Sequence, residues 1–357
     1  MDDSVLAKFP DDANVLGPFL GNLPAEILDA VVRKLGWFET TFALAGKSCR
    51  EAVERVASTR AVLTEEERWP FRSREMTHLA VAAMEADVEA LEWLIQRFDG
   101  KGLKWRDDGG MALSQLAARR GKIESLRCLH ANRCPLGFAV CWFAAREGHL
   151  EVLQWARQNG CQWDEDACRV AAEKGHLEVL QWALQNGCEW DETTCQAAAS
   201  GGHLEVLKCA RQNGCEWDEW TCLGAAKGGH LEVLQWARQN GCPWDWRTCM
   251  YAAKGGHLEV LRWARQNGCP WDWRTCERAA WGGHLEVLRW ARENGCRWDE
   301  TTCERAAWGG HLEVLQWARE NGCPWDAKTW SWAHPRCRPY LLEHGCPGAD
   351  ESRAHDI

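Results

Sequence analysis

One pentapeptide, His-Leu-Glu-Val-Leu, recurs along this chain of 357 residues at a fixed interval of 27 residues. It begins at His149, His176, His203, His230, His257, His284 and His311. Weaker copies lie around Gly121 and Asp87, and a shortened copy runs from Arg338 to Cys346. A fixed period of this length is typical of repeat architectures, in which each unit contacts only its neighbours. The chain is therefore predicted to be a linear stack of about ten units.

Each unit predicts two short helices joined by glycine turns. In a representative unit, Asp191 or Thr193 can accept hydrogen bonds from free N–H groups and start the first helix, which Gly202 ends. The second helix is predicted over residues 203–212 and stops at Gly214, because glycine adopts the left-handed conformation at little cost. One such pair cannot bury its own apolar face, so stacking on neighbouring units is required.

The units resemble ankyrin repeats. The match lies in Ala-Ala-x-x-Gly-His-Leu-Glu-Val-Leu followed by Asn-Gly-Cys, which recurs seven times. The units are shorter than the family's usual length of about 33 residues, so the hairpin between units is expected to be a tight loop. Thr193-Thr194-Cys195-Gln196 replaces the family's Thr-Pro-Leu-His, so the usual Thr/His hydrogen-bonding tie is expected to be absent. This short, Trp- and Cys-rich form looks like the arrays of large DNA viruses and some protists. The resemblance implies an all-α, ankyrin-like helix-turn-helix solenoid.

A different pattern precedes the repeats. Leu23-Pro24-Ala25-Glu26-Ile27-Leu28 opens a predicted helix with an apolar face, and two more short helices are expected before residue 58. This segment resembles an F-box, with Cys49 at a position where the family has Trp or Phe. The resemblance implies docking on the Skp-type adaptor of a cullin-RING ubiquitin ligase. The family's docking positions match Leu23, Pro24, Ile27, Leu28, Val31 and Leu35. The alternative is a helical cap packed on the first repeat.

These patterns predict five segments. A disordered leader is expected over residues 1–20, the three-helix F-box-like module over 21–58 and a charged connector over 59–75. The repeat array follows over 76–347, and a polar tail over 348–357.

Composition limits the function. The net charge is −10 and the calculated pI is about 5.7, which disfavours binding to nucleic acid or to an anionic membrane surface. No apolar stretch approaches the ~20 residues of a membrane span, and the acidic N-terminus is unlike a secretion signal. The chain is expected to be a cytoplasmic monomer, with a nuclear location also open. It carries no phosphate-binding loop or nucleophile motif, so no catalytic residue and no cofactor are predicted.

Tryptophan and cysteine form columns in register with the repeat, among 25 Trp and 20 Cys residues in all. One Trp column lies in the second helices, at Trp155, Trp182, Trp236, Trp263, Trp290 and Trp317. The other precedes each Asp, at Trp163, Trp190, Trp217, Trp244, Trp271, Trp298 and Trp325. Both are predicted to be core, because large aromatic side chains dominate burial. A ligand-binding aromatic ladder is the alternative.

The cysteine columns are predicted to fill the core as small hydrophobic groups. Equivalent cysteines in neighbouring units should be about 8–10 Å apart, too far to share one zinc ion. The recurring histidine is interpreted as a turn residue. No metal site is predicted.

Positions that vary between the repeats should face outward. The variable loop and first-helix positions correspond to the concave surface of ankyrin proteins. Exposed Trp and Arg are typical of protein-binding surfaces. The predicted target-binding residues are Trp220, Trp246, Arg247, Tyr251, Trp273, Arg274, Arg278, Trp281, Arg305 and Trp308. The alternative is that these tryptophans pack against one another between repeats.

Together these features predict a non-catalytic substrate receptor, with the F-box on the ligase adaptor and a target protein on the repeats. The alternative is a scaffold or sequestering protein without any ubiquitin-ligase link. Single-stranded nucleic-acid binding is a third class, which the acidic charge disfavours.

Overall fold

The computed structural model describes residues 88–99, 110–137, 139–163 and 165–349. Within these ranges the chain forms nineteen α-helices and no strand. They belong to two compact units that divide after Trp163. Each unit is a stack of antiparallel helix pairs, so the predicted all-α, ankyrin-like solenoid is confirmed.

The described part of the first unit contains five helices. They are α1 (Val88–Asp99), α2 (Gly110–Arg119), α3 (Ile123–Ala131), α4 (Ala139–Glu147) and α5 (Leu150–Gln158). Helix α2 packs against α3 and α4, and α4 packs against α5. Their buried core contains Leu113, Leu126 and Leu153, each with no exposed surface.

The second unit contains seven helix pairs, and the first helix of each pair is named before the second. The pairs are α6 (Glu165–Lys174) with α7 (Leu177–Gln185), α8 (Glu192–Gly201) with α9 (Leu204–Gln212), α10 (Glu219–Gly228) with α11 (Leu231–Gln239), α12 (Trp246–Lys254) with α13 (Leu258–Gln266), α14 (Trp273–Trp281) with α15 (Leu285–Glu293), α16 (Glu300–Trp308) with α17 (Leu312–Glu320), and α18 (Ala327–Ser331) with α19 (Arg338–Glu343).

Local chemistry sets the ends of these helices. The Asp191 carboxylate accepts a hydrogen bond from the backbone N–H of Thr193 at 3.0 Å, which confirms Asp191 as the cap of α8. Gly202 ends that helix with a φ of 80°. Helix α9 begins at Leu204, one residue later than predicted, because His203 is its N-cap and has non-helical dihedral angles.

The core of the second unit is a continuous strip of small and aliphatic side chains. Leu207, Leu234 and Leu261 of successive second helices are fully buried. Successive first helices contact one another more closely than successive second helices do, because their contact faces carry Ala, Cys and Gly. The second helices are therefore separated by gaps that larger side chains can enter.

The cysteines lie in this core. Every cysteine of the described residues is buried, which confirms their predicted role as small hydrophobic groups. The thiol of Cys215 also donates to the carbonyl oxygen of Asp191 at 3.1 Å, and that of Cys296 to Asp272 at 3.2 Å. Each of these thiols therefore ties the loop that follows a helix pair to the Asp that caps the same pair. Among the described cysteines there is no disulfide bond.

Candidate functional site

The ten residues predicted to bind a target all lie on the first helices of four consecutive repeats, α10, α12, α14 and α16. The Asp cap places the two residues that follow it in the first turn of each helix. The residue before the glycine pair lies in the last turn. The structure divides the predicted set into two clusters at opposite ends of these helices.

The first-turn cluster consists of Trp220, Trp246, Arg247, Trp273 and Arg274. The guanidinium carbon of Arg247 lies 4.6 Å from the ring centre of Trp220, in the preceding repeat. That of Arg274 lies 4.7 Å from Trp246 and 4.8 Å from Trp273. Each arginine thus covers an indole of the preceding repeat in a cation–π contact.

Carboxylates hold these arginines in place. Arg247 Nη2 lies 3.0 Å from Glu219 and 2.7 Å from Asp245, and the Asp245 hydrogen bond raises the Arg247 pKa. Arg274 Nη1 lies 2.5 Å from Asp272. Partly exposed ion pairs of this kind contribute about 0–1 kcal/mol. Their main effect is to fix each guanidinium over its indole.

The last-turn cluster consists of Tyr251, Arg278, Trp281, Arg305 and Trp308. The rings of Trp281 and Trp308 stack, with their centres 5.8 Å apart and their planes 23° apart. Arg278 lies 4.9 Å from the Trp281 ring centre. Lys254 contacts Trp281 from the preceding repeat, with its Nζ 4.3 Å from the ring centre. Lys254 also lies 5.8 Å from the half-buried Tyr251 ring.

A buried carboxylate anchors one arginine of the last-turn cluster and lies near a second. Glu277 is 5% exposed, and its Oε1 accepts a hydrogen bond from Arg305 Nε at 2.9 Å. Its other oxygen lies 4.0 Å from Arg278 Nε. A buried carboxylate needs such partners, because an unpaired charge in the interior is costly. Glu277 therefore restrains Arg305 through this hydrogen bond.

Each cluster contains one tryptophan that is more exposed than the others. Trp220 and Trp308 are each 43% exposed, whereas Trp246, Trp273 and Trp281 are half-buried. The alternative interpretation, packing between repeats, is therefore correct for Trp281, whereas binding of a target by this face stays a prediction. Trp281 packs between repeats, while Trp220 and Trp308 also present a large apolar surface to solvent.

The most exposed tryptophan of residues 165–349 is one that sequence reasoning missed. Trp332 is 64% exposed and follows helix α18 directly. It lies 27 residues after Arg305, so it belongs to the same variable column as Arg278 and Arg305. That register is the signal that could have identified it.

The core prediction is wrong for the two tryptophan columns of the second unit. None of the tryptophans in residues 165–349 belongs to the buried core. The Trp244 and Trp263 rings meet edge to face, with centres 5.8 Å apart, and the Arg238 guanidinium lies 4.2 Å from the Trp244 ring centre. The same arrangement recurs in neighbouring repeats. Each indole enters a gap between successive second helices that is too open to seal it from solvent.

The six predicted adaptor-binding residues lie outside the described residues, as do the F-box-like module, the charged connector and the leader. Within residues 88–99, 110–137, 139–163 and 165–349, no group of three or more His, Cys, Asp or Glu side chains is arranged to hold a metal ion. None of the helices in these ranges combines the length and apolar character that a bilayer span takes.

A family model for ankyrin repeats in many copies matches residues 168–211 and 249–292. The first match runs from α6 to α9 and the second from α12 to α15. The chain therefore contains ankyrin repeats at these two places, and such repeats are typically non-catalytic and bind other proteins. No curated protein matches the chain at a significant level.

Proposed function

We propose that the protein is a non-catalytic substrate receptor of a ubiquitin ligase. In this proposal the F-box-like segment docks a Skp-type adaptor and the repeats hold a target protein. A receptor of this kind needs no catalytic residue, because it acts by bringing the target close to the ligase.

The observation that carries the target-binding half is the variable face of α10, α12, α14 and α16. The core positions of these repeats are nearly identical, whereas the face itself differs from repeat to repeat. It concentrates half-exposed Trp and Arg, the side chains that dominate protein-binding hot spots. Trp220 and Trp308 expose apolar surface that a partner would cover. The ion pairs of Arg247 and Arg274 fix the face in advance, which lowers the entropy cost of binding.

The adaptor-binding half rests on sequence. Leu23-Pro24 opens the motif, and Ile27, Leu28 and Val31 follow at helical spacing. A segment of this size is too short to bury a strong core alone, so a docking partner would complete it. Full burial of side chains of this kind contributes about 1.5–3 kcal/mol each.

The first experiment measures binding of the full chain to a purified Skp-type adaptor by calorimetry. The double variant Leu23→Ala, Leu28→Ala should bind more weakly, by about tenfold for each 1.4 kcal/mol lost. The matched control, Trp246→Ala with Trp273→Ala, changes the variable face of the repeats and leaves the F-box-like motif intact, so it should bind the adaptor like the wild type. A wild-type chain without affinity for the adaptor would exclude the ligase link and leave the sequestering scaffold in its place.

The second experiment identifies target proteins by proximity labelling in cells that express the full chain. Proteins labelled by the wild type and by the Leu23→Ala, Leu28→Ala variant should lose labelling with Trp246→Ala, Trp273→Ala. If the latter variant labels the same proteins as the wild type, this face is not where targets bind.

A further inference from the structure

The last repeat carries an exposed tryptophan at the end of its first helix. Trp332 is the C-cap of α18 and is 64% exposed. The terminal repeat of a solenoid usually presents a polar outer face to solvent. An indole in this position is instead typical of the side chains that dominate protein-binding hot spots.

The segment around this tryptophan is positively charged. Residues 327–342 contain three Lys or Arg side chains and no Asp or Glu. The three are Lys328, Arg336 and Arg338. Asp326, which directly precedes the segment, is engaged as the N-cap of α18 and accepts the backbone N–H of Lys328 at 2.9 Å. The segment therefore has the opposite sign to the whole chain, whose net charge is −10.

Backbone hydrogen bonds place two of these cations beside Trp332. The Trp332 N–H donates to the carbonyl oxygen of Lys328 at 3.0 Å, so the two residues are neighbours one helical turn apart. Arg338 Nε donates to the carbonyl oxygen of Ala333 at 3.3 Å, which returns its guanidinium to the residue directly after Trp332. Arg336 lies in the turn between Ala333 and Arg338 and is exposed.

Carboxylates do not neutralise this cluster. Within residues 165–349, none of its three cations forms an ion pair with an Asp or Glu side chain. By contrast, the two arginines of the first-turn cluster pair with Asp245 and Asp272, and Arg305 of the last-turn cluster pairs with Glu277. The last repeat therefore offers charged donors that are already engaged in the preceding repeats.

The turn that carries these cations is fixed in place. The backbone N–H of His334 donates to the carbonyl oxygen of Ala307 in α16 at 2.9 Å, and the N–H of Cys337 donates to that of His334 at 2.9 Å. Ala333 and Cys337 are buried on either side of the exposed residues. A fixed backbone lowers the entropy cost of binding a partner.

We propose that Lys328, Trp332, Arg336 and Arg338 form a binding site for an acidic segment of a partner protein. Carboxylates of that segment pair with the three cations, and an apolar side chain between them covers the indole. Most of this acidic chain repels such a segment, so a cluster within the Debye length of about 8 Å has to hold it. The inference rests on the proposed function in one respect, that the repeats hold a partner protein.

A nucleic acid is the other anionic macromolecule that Trp and Arg side chains bind. Its affinity comes from many phosphate contacts along a basic surface, and three cations at the end of an acidic array supply few of them. We therefore expect an acidic peptide to bind more tightly than a single-stranded oligonucleotide of the same charge.

The test uses the full chain and a short, terminally blocked peptide of Asp, Glu and Gly with one Leu. The comparison peptide has Asn and Gln in place of Asp and Glu, which removes the charges and keeps the size. Affinities are measured by calorimetry, and the fluorotryptophan resonance of Trp332, assigned by substitution, reports where the peptide binds. The acidic peptide should bind and shift this resonance, and the neutral peptide should do neither.

The variant Lys328→Gln, Arg336→Gln removes two exposed charges from the site. It should weaken binding of the acidic peptide by about four- to twenty-five-fold, since one exposed ion pair is equivalent to about two- to fivefold in affinity. The matched control, Lys227→Gln with Arg297→Gln, removes the same charge from exposed positions elsewhere in the second unit and should bind like the wild type. Trp332→Ser should weaken the peptide by about fivefold or more.

The proposal is overturned if the acidic peptide does not bind, if the two peptides bind equally, or if the two glutamine double variants lose the same affinity. An unchanged affinity in Trp332→Ser, or tighter binding of the oligonucleotide, would also overturn it. Each of these results would leave the adaptor experiment and the Trp246, Trp273 experiment unaffected. Failure of this inference is therefore distinguishable from failure of the proposed function.

Discussion

The Nε2 atom of His257 lies 3.0 Å from the backbone carbonyl oxygen of Lys227, in the preceding repeat. His230, His284 and His311 make the same contact with Ser200, Lys254 and Trp281. Because a carbonyl oxygen accepts, Nε2 carries the proton in each case. The last turn of a helix leaves carbonyl groups without an intrahelical partner, and these imidazoles satisfy one of them in each repeat.

Replacing Gly229 by Ala should destabilise the array through this histidine. Gly229 has a φ of 79°, and an added Cβ would lie 2.5 Å from the His257 ring. The left-handed backbone alone costs about 1–2 kcal/mol for a residue with a Cβ. Gly241 is the matched control, since its φ is 85° and the space around it is open. Urea unfolding should show a larger loss for Gly229→Ala, and equal losses would contradict a tight fit of the imidazole.

Stability should fall at mildly acidic pH. Burial lowers the pKa of His203 and of His284, and neighbouring histidines lower them further. In the unfolded chain each pKa returns to about 6.5, so the unfolded state binds more protons below that pH. The contribution of these two histidines to the free energy of unfolding is therefore fully present above pH ~6.5. It is lost as the pH falls toward the lower pKa of the folded state. Urea midpoints at pH values from about 8 to about 5.5 should decline.

The double variant His203→Gln, His284→Gln tests whether these two histidines cause the loss of stability at acidic pH. It should show a flatter pH profile than the wild type over the same range. A decline that is identical in the two proteins would assign the effect to other groups.

Replacing Thr248 by Val should stabilise the protein. Thr248 is fully buried, and its hydroxyl has no hydrogen-bond partner. A buried hydroxyl in this state costs about 1–3 kcal/mol, and valine has nearly the same shape. Thr329 is also fully buried, but its hydroxyl accepts from the Asp326 N–H at 3.3 Å. Thermal unfolding should therefore show a rise for Thr248→Val and a fall for Thr329→Val. A fall in both would mean that the Thr248 hydroxyl is satisfied.

Deletion of residues 217–243 should leave a folded, shorter array. This segment is one 27-residue period, so Trp244 takes the place of Trp217 after Glu216. Every cap and turn is retained, because each repeat contacts only its neighbours. Circular dichroism should show the same helix content per residue. Deleting residues 217–229, about half a period, should reduce the helix content per residue. A random-coil spectrum for the full-period deletion would contradict the repeat architecture.

Cys337 should resist alkylation in the native protein. It is fully buried, and burial raises its pKa to about 11. The thiolate is the reactive form, and at pH ~8 it would be about a thousandth of the population. Peptide mapping after iodoacetamide treatment should find Cys337 unmodified without denaturant and modified in urea. Rapid modification of the native protein would show that this core opens readily.

The local features of the repeat were predictable from sequence. A cap such as Asp191 and a turn glycine such as Gly202 act within a few residues of their own position. The 27-residue period then required the helix pairs to stack, which determined the fold class. Comparing the repeats with one another also located the variable face, because all ten predicted residues lie on first helices.

Only the tertiary structure decided how deeply each tryptophan is buried. Trp244 and Trp263 repeat as regularly as core residues do, yet both remain partly exposed. Their burial depends on the distance between successive second helices, which the close packing of the first helices sets. The bond from His257 to Lys227 and the exposure of Trp332 depend in the same way on contacts between repeats. Sequence determined each helix pair because its signals are local, whereas contacts between pairs decided the surface that a partner meets.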